Sequence, residues 1–160
     1  MTPADRDAAF TEFVAARRDH LRRTAYAVCG DWHRADDLVQ TALVKLYVAW
    51  PRVRDGGEEA YTRTIIVRAA VDESRRPWRR ERPVDRLPDR PAETADDRGE
   101  LFEALQRLPA MQRSAVVLRH WLGLSVEETA ETLGISAGTV KSHTSRGIAA
   151  LRVALQHSAT

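Results

Sequence analysis

Between Leu124 and Leu155 the chain reads LSVEETAETLGISAGTVKSHTSRGIAALRVAL, and this stretch admits few folds. Ser125, with Glu128 three residues on, forms the capping-box signature of a helix N-terminus. Val126, Thr129, Ala130 and Leu133 then recur at helical spacing and give a short helix one buried face. Gly134 ends it, because glycine enters a left-handed C-cap without steric cost. Ile135 plugs the corner, and Ser136 caps a second helix beginning at Ala137. Two helices joined by a short glycine turn make a helix-turn-helix.

On the second helix Val140, Ile148, Leu151 and Leu155 face inward, with Thr144 filling the gap between the first two. Thr139, Lys141, Ser142, His143, Ser145 and Arg146 mostly face outward near its N-terminus, the end that enters the DNA major groove in such motifs. No Asp or Glu occurs from Leu133 to Thr160, whereas Glu127, Glu128 and Glu131 sit on the supporting helix. An acid-free helix lies beside phosphates without repulsion. A hairpin that merely packs is the plainer alternative.

At 160 residues the chain makes one medium domain or two small ones. Its net charge of +2 excludes a polycation, so nucleic-acid binding must come from local clusters. Cys29 is the sole cysteine; no intrachain disulfide is possible and a reducing compartment is expected. With no apolar run of bilayer length and no signal peptide, the expectation is a cytoplasmic protein without membrane insertion.

A first helix is expected from about Asp7 to Cys29, with Phe10, Phe13, Val14, Leu21, Ala25 and Val28 on one stripe. A second runs from about Arg34 to Trp50, apolar at Leu38, Val39, Ala42, Leu43, Leu46 and Trp50, and is stopped by Pro51. Asp36 and Asp37 fall in its expected first turn, where they complement the helix dipole. A third spans about Ala60 to Arg76. Arg63, Arg68, Arg75 and Arg76 project from it, with Tyr61 and Thr64 near its start and Trp78 among Arg79, Arg80 and Arg82 beyond. Cations follow phosphates and rings stack on bases, so this interleaving suits single-stranded nucleic acid; a solvated helix end has the same composition.

Pro83, Pro88 and Pro91, with Asp85, Asp89, Glu93, Asp96 and Asp97, then make an acidic stretch without regular structure. Leu101, Phe102, Leu105 and Leu108 restart helical spacing, and Pro109 opens a helix carrying Met111, Ala115, Val116, Leu118 and Trp121 toward the helix-turn-helix. The expected architecture is all-α: small helical domains at 1–80 and 100–160 joined by an extended linker at 81–99.

In this order, DDLVQTALVKLYVAW, YTRTIIVRAAVDESRRPWRR, the acidic linker and LPAMQRSAVVLRHWLGLSVEETAETLGISAGTVKS are distinctive. From Phe10 to Leu155 the chain resembles bacterial RNA polymerase sigma factors of the extracytoplasmic-function group, in the SigE-like actinobacterial branch. The resemblance implies a factor that binds core RNA polymerase, directs it to promoters and helps melt the −10 element. It implies that the first domain is sigma region 2, with Asp36, Asp37, Leu38, Gln40, Leu43 and Leu46 docking on the clamp helices of the largest subunit. Tyr61, Arg63, Thr64, Arg68, Arg75, Arg76 and Trp78 are the implied −10 contacts. The second domain resembles sigma region 4, implying −35 contacts at Arg119, Ser136, Thr139, Lys141, Ser142, His143, Ser145 and Arg146, and a further contact with the polymerase flap region. The linker is implied either to thread the polymerase channel or to act as a plain tether. An anti-sigma factor is a further partner that the resemblance admits.

Two departures bear on base preference: Arg68 stands where many relatives have Asn, and His143-Thr144 where many have Arg and a large apolar residue. The competing reading is a helix-turn-helix regulator that is not a polymerase subunit, but a phosphoreceiver would need alternating strands and helices that the first eighty residues do not show. Cys29 and His33 make at most half a metal site, and no nucleophile elbow is present. No catalytic residue, metal or cofactor is expected.

Overall fold

The computed structural model describes residues 1–76 and 98–158, and among these every regular element is helical. Helix α1 spans Pro3–Cys29, α2 Trp32–Ala49 and α3 Glu58–Ser74. After the interval come α4 at Arg98–Gln106, α5 at Ala110–Val116, α6 at Val126–Leu133 and α7 at Ala137–Ser158. The acidic stretch and Trp78 lie outside the described residues; Arg98 and Gly99, expected in the linker, begin α4.

Local chemistry explains where the helices start. The first begins at Pro3 rather than near Asp7, because Thr2 and Asp5 form a reciprocal capping box with proline at the first helical position. The second begins at Trp32, since the Asp31 carboxylate accepts from the amides of His33 and Arg34. That earlier start removes Asp36 and Asp37 from the first turn, so the dipole role expected of them does not apply. Glycine in the left-handed region closes α1 at Gly30 (φ 76°) and α6 at Gly134 (φ 69°).

Beyond α5 the chain does not leave the helix cleanly. Val117–Trp121 widens into a π-helical turn, with the Leu122 amide bonding the Val117 carbonyl at 3.0 Å. This turn delivers the chain into the Ser125 cap.

The first three helices pack on one another, and α4 to α7 make a second bundle. The two bundles share one apolar core, running from Leu21, Leu46 and Ile66 through Leu105 and Leu118 to Leu133 and Leu151. Tyr26 stacks on Trp32 (centroids 4.0 Å, planes 8° apart) and also meets Phe102, whose edge contacts Trp121. A ladder of rings thus crosses from the first bundle to the second.

Candidate nucleic-acid interface

The helix-turn-helix forms as its sequence dictates. Ser125 Oγ accepts from the Glu128 amide at 3.0 Å, and the Glu128 carboxylate accepts from the Ser125 amide at 2.8 Å. These bonds hold the Glu128 carboxyl below its ordinary pKa, with the Arg63 guanidinium adding to the effect. Val140 and Leu151 are buried, and Thr144 returns its hydroxyl to the Val140 carbonyl.

Gly147 is buried in α7 where that helix crosses α5. A Cβ there would lie 2.6 Å from Val116 Cγ2 and 3.3 Å from the Gln112 carbonyl oxygen. Only a residue without a side chain lets the two backbones approach this closely.

On the outer face of α7, Thr139, Lys141, Ser142, Ser145 and Arg146 are exposed, a polar and basic surface without a carboxylate. Ser136 is also exposed, but its hydroxyl accepts from the Thr139 amide, so it serves the helix as a cap. His143 is only half exposed and its Nδ1 is buried without a hydrogen-bond partner. Arg119 is half-buried and donates to the Leu124 carbonyl, bracing the turn before α6.

The residues expected on the third helix do not converge on one pocket. Arg68 donates from Nε to the Thr132 carbonyl (2.9 Å) and from Nη2 to the Glu131 carbonyl (2.9 Å), both in the last turn of α6. Arg63 keeps 12% of its side chain exposed, 3.8 Å from Glu59. Burial lowers its pKa, and Glu128 on α6 opposes that shift. Tyr61 is half-buried against the core, Thr64 is half-buried, and Arg75 and Arg76 are exposed just past α3. A cleft of about 300 Å³ between α2 and α3 is lined by Arg68 with Arg34, Asp37, Lys45, Asp72 and Glu73, and by no aromatic ring.

On α2 the apolar docking residues need correction. Leu38, Leu43 and Leu46 are 5%, 5% and 0% exposed, so they build the core and present nothing to a partner. Asp36 is half-buried and pairs with Arg22 at 2.6 Å. The free stripe is instead Asp37, Gln40, Thr41, Val44 and Val48, with Val44 54% and Val48 67% exposed. Those two valines were missed because the buried face is saturated without them. The signal was there: β-branched apolar residues four apart, off the core stripe.

Sequence reasoning also missed Arg113, set within an apolar run. It donates to the carbonyls of Leu105, Gln106 and Leu108, and across the bundles to Val28 at 2.7 Å. Burial lowers its pKa, and the nearby Cys29 acts in the opposite direction. Among the described residues no cluster of His, Cys, Asp and Glu is suited to hold a metal, and no helix is long and apolar enough to cross a membrane.

The family model of Sigma-70 region 2 matches residues 13–80, and that of Sigma-70, region 4 matches residues 98–151. The chain is 41% identical over 148 residues to the RNA polymerase sigma-E factor of Streptomyces coelicolor, covering 89% of this chain and 84% of that protein. To the ECF RNA polymerase sigma factor SigE of Mycolicibacterium smegmatis it is 35% identical, over 88% of this chain and 59% of the other. Its fold is similar to that of the sigma factor RpoE of Bartonella quintana, solved in complex with the anti-sigma factor NepR. The TM-score is 0.78 at 26% identity, over 92% of this chain and 97% of the other.

Proposed function

The chain belongs to the sigma-70 family of RNA polymerase sigma factors, in the extracytoplasmic-function group, and on that premise we propose how its surfaces divide the work. A sigma factor binds core RNA polymerase, directs it to promoters and helps melt the −10 element; the polymerase supplies the chemistry. We assign this chain no catalytic residue and place its action in the cytoplasm.

The division follows residues 1–80, 81–97 and 98–160, as region 2, linker and region 4, the last boundary moved from 99 by the start of α4 at Arg98. The exposed stripe Asp37, Gln40, Thr41, Val44 and Val48 docks on the polymerase clamp, an acidic and apolar surface suited to a basic helix. Lys141, Ser142, Ser145 and Arg146 read the −35 duplex, and Thr139 holds a phosphate. Arg63, Arg68, Arg75 and Arg76 serve the melted −10 strand. An anti-sigma factor is the third partner, a reading supported by the likeness to the Bartonella protein held by NepR. The observation that carries the assignment is the outer face of α7: basic, free of acid, exposed, and fixed by caps at both sides of the Gly134 turn.

The test is run-off transcription by core RNA polymerase on a pool of genomic promoter fragments, with and without the protein. Transcripts that need it, from starts sharing two spaced motifs, are the expected result. Duplex binding without polymerase association or transcripts would overturn the assignment in favour of a plain DNA-binding regulator.

A further inference from the structure

We propose that Arg17, His20 and Arg23 on α1, together with Arg63 on α3, form a binding site for a phosphodiester of the melted strand. The strand-facing surface then continues from α3 onto α1. This rests on the assignment of α3 to the melted strand made above.

The site follows from a charge imbalance. Arg17, His20 and Arg23 recur every third residue along one edge of α1, and that edge lies against the first turns of α3. There the Glu59 carboxylate meets three bases at once. It pairs with Arg17, stands 4.0 Å from His20 Nε2 and 3.8 Å from Arg63 Nη1. Arg23 adds a cation that is exposed and, among the described residues, has no carboxylate partner. Glu128 of α6 acts on Arg63 through its field, but its carboxylate already accepts from the Ser125 amide. One carboxylate shared among several bases leaves net positive charge, and that excess attracts an external anion.

The groups also act on one another. Partial burial, and after it the fields of Arg17, Arg23 and Arg63, hold the His20 pKa below its ordinary value. Three guanidinium groups thus converge on one imidazole. Arg63 Nε is buried without a hydrogen-bond partner, a donor that the fold leaves unused. Arg17 and His20 keep 40% and 35% of their side chains exposed, so an anion reaches them from solvent. A phosphate seated there accepts charge-assisted hydrogen bonds and relieves the repulsion among the cations. Arg75 and Arg76, also assigned to the strand, lie past the other end of α3. At 1.5 Å per residue they stand about 18 Å along the axis from Arg63, a length that a few nucleotides cover.

A bound phosphate also couples to a proton. His20 is faced by Arg17 and Arg23 on its own helix and by Glu59 and Arg63 on α3. An added anion favours the imidazolium, so strand affinity should rise as pH falls from about 7.5 to about 6.

The test measures binding of the full-length chain to a fluorescent A/T-rich single-stranded oligonucleotide and to a duplex, each titrated with salt. Arg23→Ala removes an exposed cation of the site. Arg18→Ala is the control: it removes the same charge from an exposed arginine, turned about 100° around the helix from Arg17. Arg23→Ala should weaken strand binding roughly threefold to tenfold and flatten the slope of log K against log salt by about 0.7. Arg18→Ala should change neither, and duplex affinity should hold in both. His20→Gln should abolish the gain in strand affinity at lower pH. Equal losses in the two arginine variants would mean a diffuse field in place of a site, and no loss in Arg23→Ala would remove α1 from the strand; either overturns the proposal. An equal loss of duplex affinity in Arg23→Ala would assign the phosphate to double-stranded DNA and overturn the strand reading. A pH response absent from the parent, or persisting in His20→Gln, removes His20 from the site. No strand binding by any form refutes instead the assignment of α3.

Discussion

Gly147 shows how much one missing side chain decides. It sits in the middle of a 22-residue helix, where glycine weakens the helix relative to alanine. Here the helix-propensity gain of Gly147→Ala is outweighed, because the new methyl meets Val116 Cγ2 and the Gln112 carbonyl, the latter being backbone. The substitution should destabilise by about 1–3 kcal/mol, and a thermal melt with no fall in Tm would count against the close crossing of α5 and α7. His20 makes a second single-residue test. Partial burial lowers its pKa from the ordinary 6.5, and Arg17, Arg23 and Arg63 add to the effect. The Glu59 carboxylate 4.0 Å away does not restore it, being shared with Arg17 and Arg63. The unfolded chain takes up a proton near pH 6.5 while the folded chain resists, so this stabilisation is complete above that value and is lost as pH falls through the folded pKa. His20→Gln should flatten the fall of Tm on acidification below about pH 6.5; an unchanged slope would remove His20 as its source.

At the scale of the element, α2 and α7 each bury one face and keep the other for a partner, so their outer faces should fail separately. Val44→Glu leaves the core intact, since the side chain is 54% exposed, and should weaken association with core polymerase while promoter-duplex binding by the free protein persists. Lys141→Ala should do the reverse. Losing one base-reading cation should cost about 1–3 kcal/mol of duplex affinity and relax base preference at one −35 position. Measuring both variants by polymerase pull-down and by salt-titrated DNA binding checks the pair. If both lost the same activity, the division between the bundles would be wrong.

For the molecule as a whole, the continuous core and the ring ladder from Trp32 through Tyr26 and Phe102 to Trp121 make the two bundles one cooperative body. Calorimetry of the full chain should give one transition with matching calorimetric and van't Hoff enthalpies. Two resolved transitions would mean that the bundles unfold independently and that the Arg68 and Arg113 contacts hold them weakly.

The helices and their caps were legible in the sequence because they are set by neighbours a few residues apart: Ser125 with Glu128, Gly134 after Leu133, Pro51 after Trp50. The outer face of α7 was legible for the same reason, since a helical period and a run without acid need no tertiary knowledge. Even the early start of α1 was written in Thr2, Pro3 and Asp5. What only the folded chain decided was which apolar residues of α2 are buried, and where the arginines go. Leu38, Leu43 and Leu46 fall on the apolar stripe of the helix, and it was the resemblance that made them docking residues; packed against α1 and α3 they are interior, and Val44 and Val48 take the surface. Arg68 reads as a projecting cation, and Arg113 draws no reading at all, until the ends of α6 and α1 arrive beside them from more than sixty residues away in the chain. Unpaired carbonyls at a helix terminus attract whichever donor the fold delivers, and no local pattern says which donor that is.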